Sequence, residues 1–382
     1  MKFFHLSDLH IGKTVNRYSM LAEQRNVFDQ VIGYIKTEKP DAVIIAGDIY
    51  DRAIPGVEAV SLFDDFLTAL AGEDVTVMIV SGNHDSPERM NYASRLLSEK
   101  KLFLCGSFDG VLHKLVLTDE YGDVNFWLLP FIKPMSMRGF FAGREIESYD
   151  DAFEAALETA DIDYSSRNVL VSHQYYTKAG ITPVRSESEL NPVGGLDAID
   201  SGLIEKFDYA ALGHLHGAQS AGAAHIRYAG SPVKYSFSEW RQQKSLSLVA
   251  LNEKGHLEHN ALPLTPIRDM REIKGEIDKL MSDEVSSLTN KEDYLRVILT
   301  DEEEIIDPIG KLRSVYPNVM SVDFENSRKN IDADTIVSGA EKLEKLSPYD
   351  LFIEFFLDIQ GSTMTDEQAK IARELLETGE NA

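Results

Sequence analysis

A single cysteine, Cys105, is present in 382 residues. One thiol excludes an internal disulfide and a thiolate metal cluster, and suits a reducing cytoplasm. No apolar run approaches the ~18 residues that cross a bilayer, so no membrane span is expected. The opening stretch Met1-Lys2-Phe3-Phe4-His5-Leu6-Ser7-Asp8 meets a carboxylate before an apolar signal core forms, and a cytoplasmic protein is expected. Positive charge is scarce too: 38 basic residues stand against 63 acidic ones, for a net charge of −25. A chain that gripped DNA alone through its phosphates would ordinarily carry a basic surface. Nucleic-acid binding here would need bound cations, or basic surface supplied by a partner. Internal repeats and low-complexity stretches are missing, as is a nucleotide-phosphate loop. Gly12-Lys13-Thr14 looks like the end of such a loop, but Ser7 stands where its first glycine belongs.

What is present is ordinary globular composition, 43% hydrophobic and 26% charged, in a length that fits two or three domains. Through residue 265 the sequence alternates short β-branched runs with helical patterns, the mark of a layered α/β domain. Strands are expected at Lys2–Ser7, Ala42–Ala46, Val75–Ser81, Asn125–Leu129, Val169–Ser172 and Tyr209–Leu212, then Ile226–Ala229 and Ser245–Leu251. Leu21, Phe28, Val31, Ile32 and Ile35 share one helical face, and Ser86-Pro87 reads as the start of a helix running toward Lys100. Pro263 and Pro266 mark a change of character. Residues 266–327 read as a compact α+β unit, with helix Ile273–Met281, strand Tyr294–Leu299, helix Pro308–Val315 and strand Val319–Phe324. Residues 328–382 read as an acidic helical tail, helical from Gly339, whose Phe352, Phe355, Phe356 and Ile359 fall on one face; Thr365-Asp366-Glu367-Gln368 caps its last helix.

The chemistry sits where strands end. The first strand runs into Asp8-Leu9-His10, the second into Gly47-Asp48, the third into Gly82-Asn83-His84-Asp85, and later ones into His173 and Gly213-His214-Leu215-His216. Ligands of open α/β sheets bind at the carboxyl ends of strands, so these clusters are expected to converge. Five of the ten histidines lie in them; His5, His113, His225, His256 and His259 have no such context and read as plain core or surface residues. Two carboxylates, an amide oxygen and four imidazoles exceed the needs of one ion and suit two divalent metals bridged by a carboxylate, roughly 3.5–4 Å apart. Without thiolates, manganese, iron or magnesium fits better than structural zinc. The residues alone therefore read as a metal-dependent phosphoesterase.

These motifs resemble the five signatures of the calcineurin-like metallophosphoesterases. His5-Leu6-Ser7-Asp8-Leu9-His10-Ile11-Gly12, Gly47-Asp48-Ile49-Tyr50-Asp51, Tyr228-Ala229-Gly230-Ser231-Pro232 and Tyr235-Ser236-Phe237-Ser238-Glu239 resemble a bacterial DNA-nuclease branch of that family. The resemblance is strong over residues 1–265 and rests on layout beyond them. It implies a β-sandwich core flanked by helices, a small DNA-capping domain and an ATPase-docking tail. It also implies that Asp8, His10, Asp48 and His216 hold one metal and Asp48, Asn83, His173 and His214 the other, both ions being manganese. His84 would then serve the leaving oxygen as general acid rather than bind metal. Archaeal and eukaryotic counterparts carry histidine where this chain has Asp51. The implied activity is exonuclease on double strands with ATP and endonuclease on single strands and hairpins, in recombination, replication and repair. The implied assembly is a homodimer through Val57–Leu70 and Pro87–Leu97, within a heterotetramer with an SMC-like ATPase. A phosphoprotein phosphatase, a cyclic-nucleotide phosphodiesterase or a scaffold without activity are the alternatives on the same core.

Overall fold

Strand parity decides the larger part of the architecture. In the computed structural model, which describes residues 1–178, 182–189, 197–326, 348–360 and 363–379, four strands β1 (Lys2–Leu6), β2 (Ala42–Ala46), β3 (Thr76–Val80) and β4 (Leu102–Cys105) lie side by side in parallel. The chain then builds a second sheet from β5 (His113–Asp119), β6 (Gly122–Leu129), β7 (Arg167–His173), β8 (Tyr209–Gly213), β9 (Gln219–Ala221) and β10 (Ala223–Tyr228). It returns to the first with β11 (Ser245–Leu251) and β12 (Leu257–Pro263). The orders are β12-β11-β1-β2-β3-β4 and β9-β10-β8-β7-β6-β5.

Alternate residues point to opposite faces, so one parity of each strand fills the space between the sheets. Phe3, Ile44, Met78, Val80 and Val249 of the first sheet meet Phe126, Leu128, Val169, Val171, Tyr209 and Ala211 of the second. The other parity of the second sheet, Trp127, Leu129, Leu170 and Leu212, packs with Phe153. Phe153 belongs to the helix Tyr149–Glu158, and two longer helices precede that one, α1 (Leu21–Glu38) and α2 (Val57–Gly72). Phe28 of α1 and Phe66 of α2 stack at 4.4 Å. Central strands such as β2 are buried along their whole length, which explains unbroken apolar runs rather than alternation in the sequence. Buried Arg167 joins the sheets: it donates to Asp119 at the end of β5, to the carbonyl of Leu251 at the end of β11 and to that of Asn252 just beyond it.

The expected layered α/β sandwich is thus present, with local corrections. Leu102–Cys105 and His113–Asp119 are strands that sequence patterning missed; both are edge strands with mixed burial. The helix expected from Ser86 to Lys100 is broken into Pro87–Met90 and Ser94–Ser98. Ala93 takes a left-handed conformation (φ 59°) between them, and the Asn91 side chain bonds the main chain of Gly106 and the hydroxyl of Ser107 instead of solvent. In α1, Leu21 and Ile32 are only half-buried, while Glu23 and Gln24 are buried beside Val27 and Phe28.

The chain divides into two compact units, Met1–Met270 and Arg271–Ala382. In the second, a three-stranded sheet β13 (Met270–Gly275), β14 (Tyr294–Leu299), β15 (Val319–Phe324) carries helices Ile277–Met281 and Pro308–Arg313 on a core of Leu280, Leu295, Val297, Leu312, Tyr316 and Val319. The helix expected over Ile273–Met281 is therefore corrected: Ile273 lies in β13 and the helix begins at Ile277, after Gly275 at φ 156° ends the strand. Two further helices, Pro348–Gln360 and Asp366–Gly379, pair with each other, Arg373 lying 4.7 Å from the Tyr349 ring. The anticipated cap on the last helix forms, Gln368 N donating to Thr365 Oγ1 and Thr365 N to Gln368 Oε1. Phe352 and Phe355 are exposed and Phe356 is half-buried, whereas the Ile359 side chain and the helix expected over 339–347 lie outside the described residues.

Candidate metal centre

The strand ends converge for a topological reason. β1, β2 and β3 are consecutive neighbours, and β7 pairs with β8 in a register that sets His173 beside Gly213. The two sheets are pinned together there, His173 Nδ1 donating to the Ala46 carbonyl at 2.8 Å. Space at this junction is so tight that a Cβ on Gly213 would stand 1.8 Å from that same carbonyl oxygen, and one on Gly82 would stand 2.1 Å from Asp48 Oδ1. Only glycine fits at either position. Asp8 (φ 52°), His10 (φ 41°), Asp48 (φ 50°) and His214 (φ 106°) all hold positive φ, a strain of about 1–3 kcal/mol each that the surrounding packing enforces.

Asp48 is the hub. Its Oδ2 lies 3.5 Å from His10 Nε2 and 3.4 Å from His173 Nε2, and its Oδ1 accepts the main-chain N–H of His84 at 2.9 Å. On one side His10 Nε2 and His216 Nε2 face each other at 3.1 Å beside Asp8. On the other, the Asn83 amide oxygen lies 3.1 Å from His173 Nε2 and 3.1 Å from His214 Nδ1. Asp8 accepts the main-chain N–H of His214, so its carboxylate and that loop move as one. Three clusters have ligand atoms within 4.8 Å of one another: Asp8, His10 and His216; Asp8, Asp48 and His173; and His10, Asp48 and His84. His84 is half-buried, and its Nδ1 donates to the Asp51 carbonyl, which leaves Nε2 free of that bond. Asp51 turns its carboxylate to Lys13 at 2.7 Å. His113 pairs with Asp109 on the surface, while His5 is buried against Tyr209 and Leu212, so neither joins the cluster.

The donor set suits cations. Burial pushes His10 well below the ordinary histidine range and His214 to about 3, so both present neutral imidazoles. Burial raises Asp8 to about 6. Burial also works against charge on Asp48 and His173, but their mutual attraction wins: Asp48 lies well below the carboxylate range and His173 is raised to about 9. His214 Nε2 and His10 Nδ1 are buried with no hydrogen-bond partner among the described residues. Opposed ring nitrogens, the orphaned Nε2 of His214 and two carboxylates of hard oxygen form a donor set that suits divalent ions.

Several residues that hold this arrangement were not legible as site residues. The Asp85 carboxylate accepts the N–H groups of Gly82, Ile49 and Tyr50, locking two ligand loops together. Gln24, buried in α1, donates to the carbonyls of Leu9 and His10 and accepts from Gly12 N. Ser188, Glu189, Glu239 and Lys244 surround His216. Asp85 and Glu239 stand inside conspicuous motifs, whereas Gln24 at a mid-helix position gave no signal.

Comparison with known proteins follows the same division of the chain. The calcineurin-like phosphoesterase family model matches residues 1–218, and the model described as the type 5 capsule protein repressor C-terminal domain, SbcD_C, matches residues 266–359. The SbcD subunit of the nuclease SbcCD from Staphylococcus epidermidis is 31% identical over 355 residues, covering 90% of this chain and 93% of that protein. Among solved structures, a phosphopantetheinyl hydrolase from Mycobacterium tuberculosis matches at 15% identity and TM-score 0.38, covering 68% of this chain and 95% of that one. A dimetal phosphatase from Danio rerio matches at 12% identity and TM-score 0.37, covering 69% and 99%. By motif, family model and near full-length identity, the chain belongs to the calcineurin-like phosphoesterases and, within them, to the SbcD family of SbcCD nuclease subunits.

Proposed function

We propose that this chain is the nuclease subunit of a DNA-processing complex and hydrolyses DNA phosphodiester bonds at a centre of two divalent ions, manganese in the working enzyme. Asp8, His10, Asp48 and His216 hold one ion, and Asp48, Asn83, His173 and His214 the other. The observation that carries the reading is the Asp48 carboxylate, within 3.5 Å of ring nitrogens from both halves of the cluster, His10 and His173. When bound, the ions supply positive charge for the non-bridging phosphate oxygens and activate water for in-line attack on phosphorus. The protein's own part is to hold that geometry and to handle the proton. His84, fixed through Nδ1 to the Asp51 carbonyl, keeps Nε2 for the leaving oxygen as general acid.

The net charge of −25 makes autonomous DNA binding weak, so basic surface comes from elsewhere. The proposed partner is an SMC-like ATPase of the SbcC kind, which docks the exposed face of the helix Pro348–Gln360 and supplies ATP binding. Residues 266–327 cap the DNA and residues 328–382 dock the ATPase, and two copies of the chain join within a heterotetramer. The test is cleavage of a DNA hairpin with manganese, with and without the ATPase and ATP, beside a small chromogenic phosphodiester. Hairpin and double-strand cleavage stimulated by ATPase and ATP is expected. Turnover of the chromogenic diester with no DNA cleavage under any condition sinks the nuclease reading and leaves a small-molecule phosphodiesterase.

A further inference from the structure

Two of the site histidines are held from behind in different ways. His173 gives its Nδ1 proton to a main-chain carbonyl, Ala46, which cannot be altered by side-chain chemistry. The ring of His216 is held from behind by side chains instead. Its Nδ1 lies 2.7 Å from Ser188 Oγ, and that hydroxyl donates onward to Glu239 Oε1 at 2.8 Å. Glu239 is fully buried, its other oxygen accepting from Lys244 Nζ at 2.7 Å. Lys244 is buried too, and its ammonium also lies within hydrogen-bond distance of the His216 carbonyl, Ser231 Oγ and Gln242 Oε1, which share its two remaining donors. The main chain of His216 is tied to the same group of residues, its N–H donating to Glu189 Oε1 at 2.7 Å. Ser188 and Glu189 are adjacent, so a short piece of one segment grips both the ring and the backbone of a single histidine.

Ser188 Oγ lies between the Glu239 carboxylate and the His216 ring, with Ser186 Oγ, itself a donor to Glu189 Oε1, 3.0 Å away, and the charged carboxylate is the strongest acceptor of the three for its proton. The acceptor-only carboxylate takes the Ser188 proton, and the Ser188 oxygen then accepts the Nδ1–H of His216. The His216 ring is left with a bare Nε2, aimed at His10 Nε2 3.1 Å away. We propose that Ser188 and Glu239, with Lys244 as the counter-ion of Glu239, are positioning residues for the centre: a Lys–Glu–Ser relay that fixes the tautomer and ring orientation of His216 for one of the two ions. This inference rests on the dinuclear reading above and deepens it. Outer partners of metal-bound histidines typically contribute about 10–100-fold to metal affinity. A buried Lys–Glu pair is costly to desolvate and gives little net stability, which makes a role in orientation the stronger reason for its presence here.

The test is titration of manganese into the metal-stripped full-length chain, with elemental analysis of the loaded protein. Wild type should bind two ions. In Ser188→Ala, at a half-buried hydroxyl that folding tolerates, one binding event should weaken about 10–100-fold while the other stays within about twofold and the melting temperature of the metal-free protein stays unchanged. Ser188→Thr, which keeps the hydroxyl, should restore the affinity. Glu239→Gln should weaken the same event, and the double variant Ser188→Ala/Glu239→Gln should be no worse than Glu239→Gln alone, because both act through one relay. If Glu239→Gln does not fold, Glu239→Gln/Lys244→Met removes the stranded cation and should weaken the same event. Ser188→Ala binding both ions with wild-type affinity overturns the relay while leaving the dinuclear centre standing. Wild type binding fewer than two ions overturns the centre itself, and the relay with it.

Discussion

Asp48 receives His10 and His173 on one oxygen and the His84 amide on the other, so its removal affects every part of the site. Asp48→Ala should release both ions, whereas Asp8→Ala should mainly weaken one, since Asp8 lies in only one arm of the ligand assignment. Elemental analysis of purified variants reads this directly; two ions retained by Asp48→Ala would refute the bridge. The role proposed for His84 separates chemistry from binding. Its anchoring bond to the Asp51 carbonyl and its half-exposed ring suit proton donation, so His84→Gln should lower cleavage by about 10²–10⁴-fold with metal content intact. Metal lost along with activity would place His84 in the ligand shell, which its place within 4.8 Å of His10 and Asp48 makes a real alternative outcome.

His5, on the strand that leads into Asp8, offers a test of burial alone. Its ring is sealed against Tyr209 and the Leu212 carbonyl, and burial pushes it down to about 3. The unfolded chain takes a proton at this residue near pH 6.5 and the folded chain does not. Below about 6.5 the unfolded state therefore binds more protons, and His5 subtracts about 1.4 kcal/mol of stability per pH unit as the pH falls toward about 3. Its contribution is intact above that range. Urea unfolding at about pH 7.5 and about pH 5, with chelator present, should show a smaller acid loss for His5→Gln than for wild type. Equal losses would mean that the ring is protonated in the folded protein.

At the scale of elements, the helix Pro348–Gln360 leaves apolar side chains exposed that the proposed partner would cover. Phe355 is 60% exposed and Leu357 42%, on a segment more apolar than a solvated helix requires. Its pairing helix is fastened through Tyr349, which donates to the Ala369 carbonyl and lies beneath Arg373, so the two helices form one hairpin. Deleting residues 347–382 should abolish co-purification with the ATPase and ATP-stimulated digestion, and leave manganese-dependent cleavage of single-stranded DNA. A truncated chain that still forms the complex with undiminished affinity removes the docking role. The broken helix at Pro87–Ser98 carries an analogous lesson. Ser86 and Pro87 begin a helix as local rules require, but Asn91 is drawn away to bond the main chain of Gly106, and the helix stops.

For the whole molecule, the surface beside that break bears on assembly. Phe63 and Leu70 of α2 are buried in the chain itself, but Val60 is 45% exposed and Tyr92 is 81% exposed. With Met90 and Leu97, Val60 and Tyr92 border a cavity of about 500 Å³. The proposed homodimer would cover this region, and light scattering at micromolar concentration should give twice the 42.8 kDa of one chain. A particle of one chain's mass counts against the dimer. The net negative charge and the proposed dimer fit a subunit that contributes the cutting centre and borrows its grip on DNA.

How far the sequence reached follows from the range of the forces involved. Steric parity and helical period are local, so most strands of both sheets and the cap at Thr365 were legible from residue order, as were the strand-end clusters. Whether Asp8, Asp48, Asn83, His173 and His214 meet depends on sheet order, and a general rule of α/β topology was enough to expect it. Edge strands such as His113–Asp119 escaped because one face is solvated and pairing with Gly122–Leu129 holds them in place. Ile273 was misassigned to a helix because its apolar spacing suits either period, and pairing within the three-stranded sheet settled the matter. Gln24, Ser188 and Lys244 carry no local signature of a site at all, and Glu239 only its place in a motif. The bonds from Gln24 to His10, from Ser188 to His216 and Glu239, and from Lys244 to His216 span 14 to 51 residues, and only the tertiary fold can close contacts of that separation. Sequence determined which atoms were available for a metal centre; packing determined their orientation.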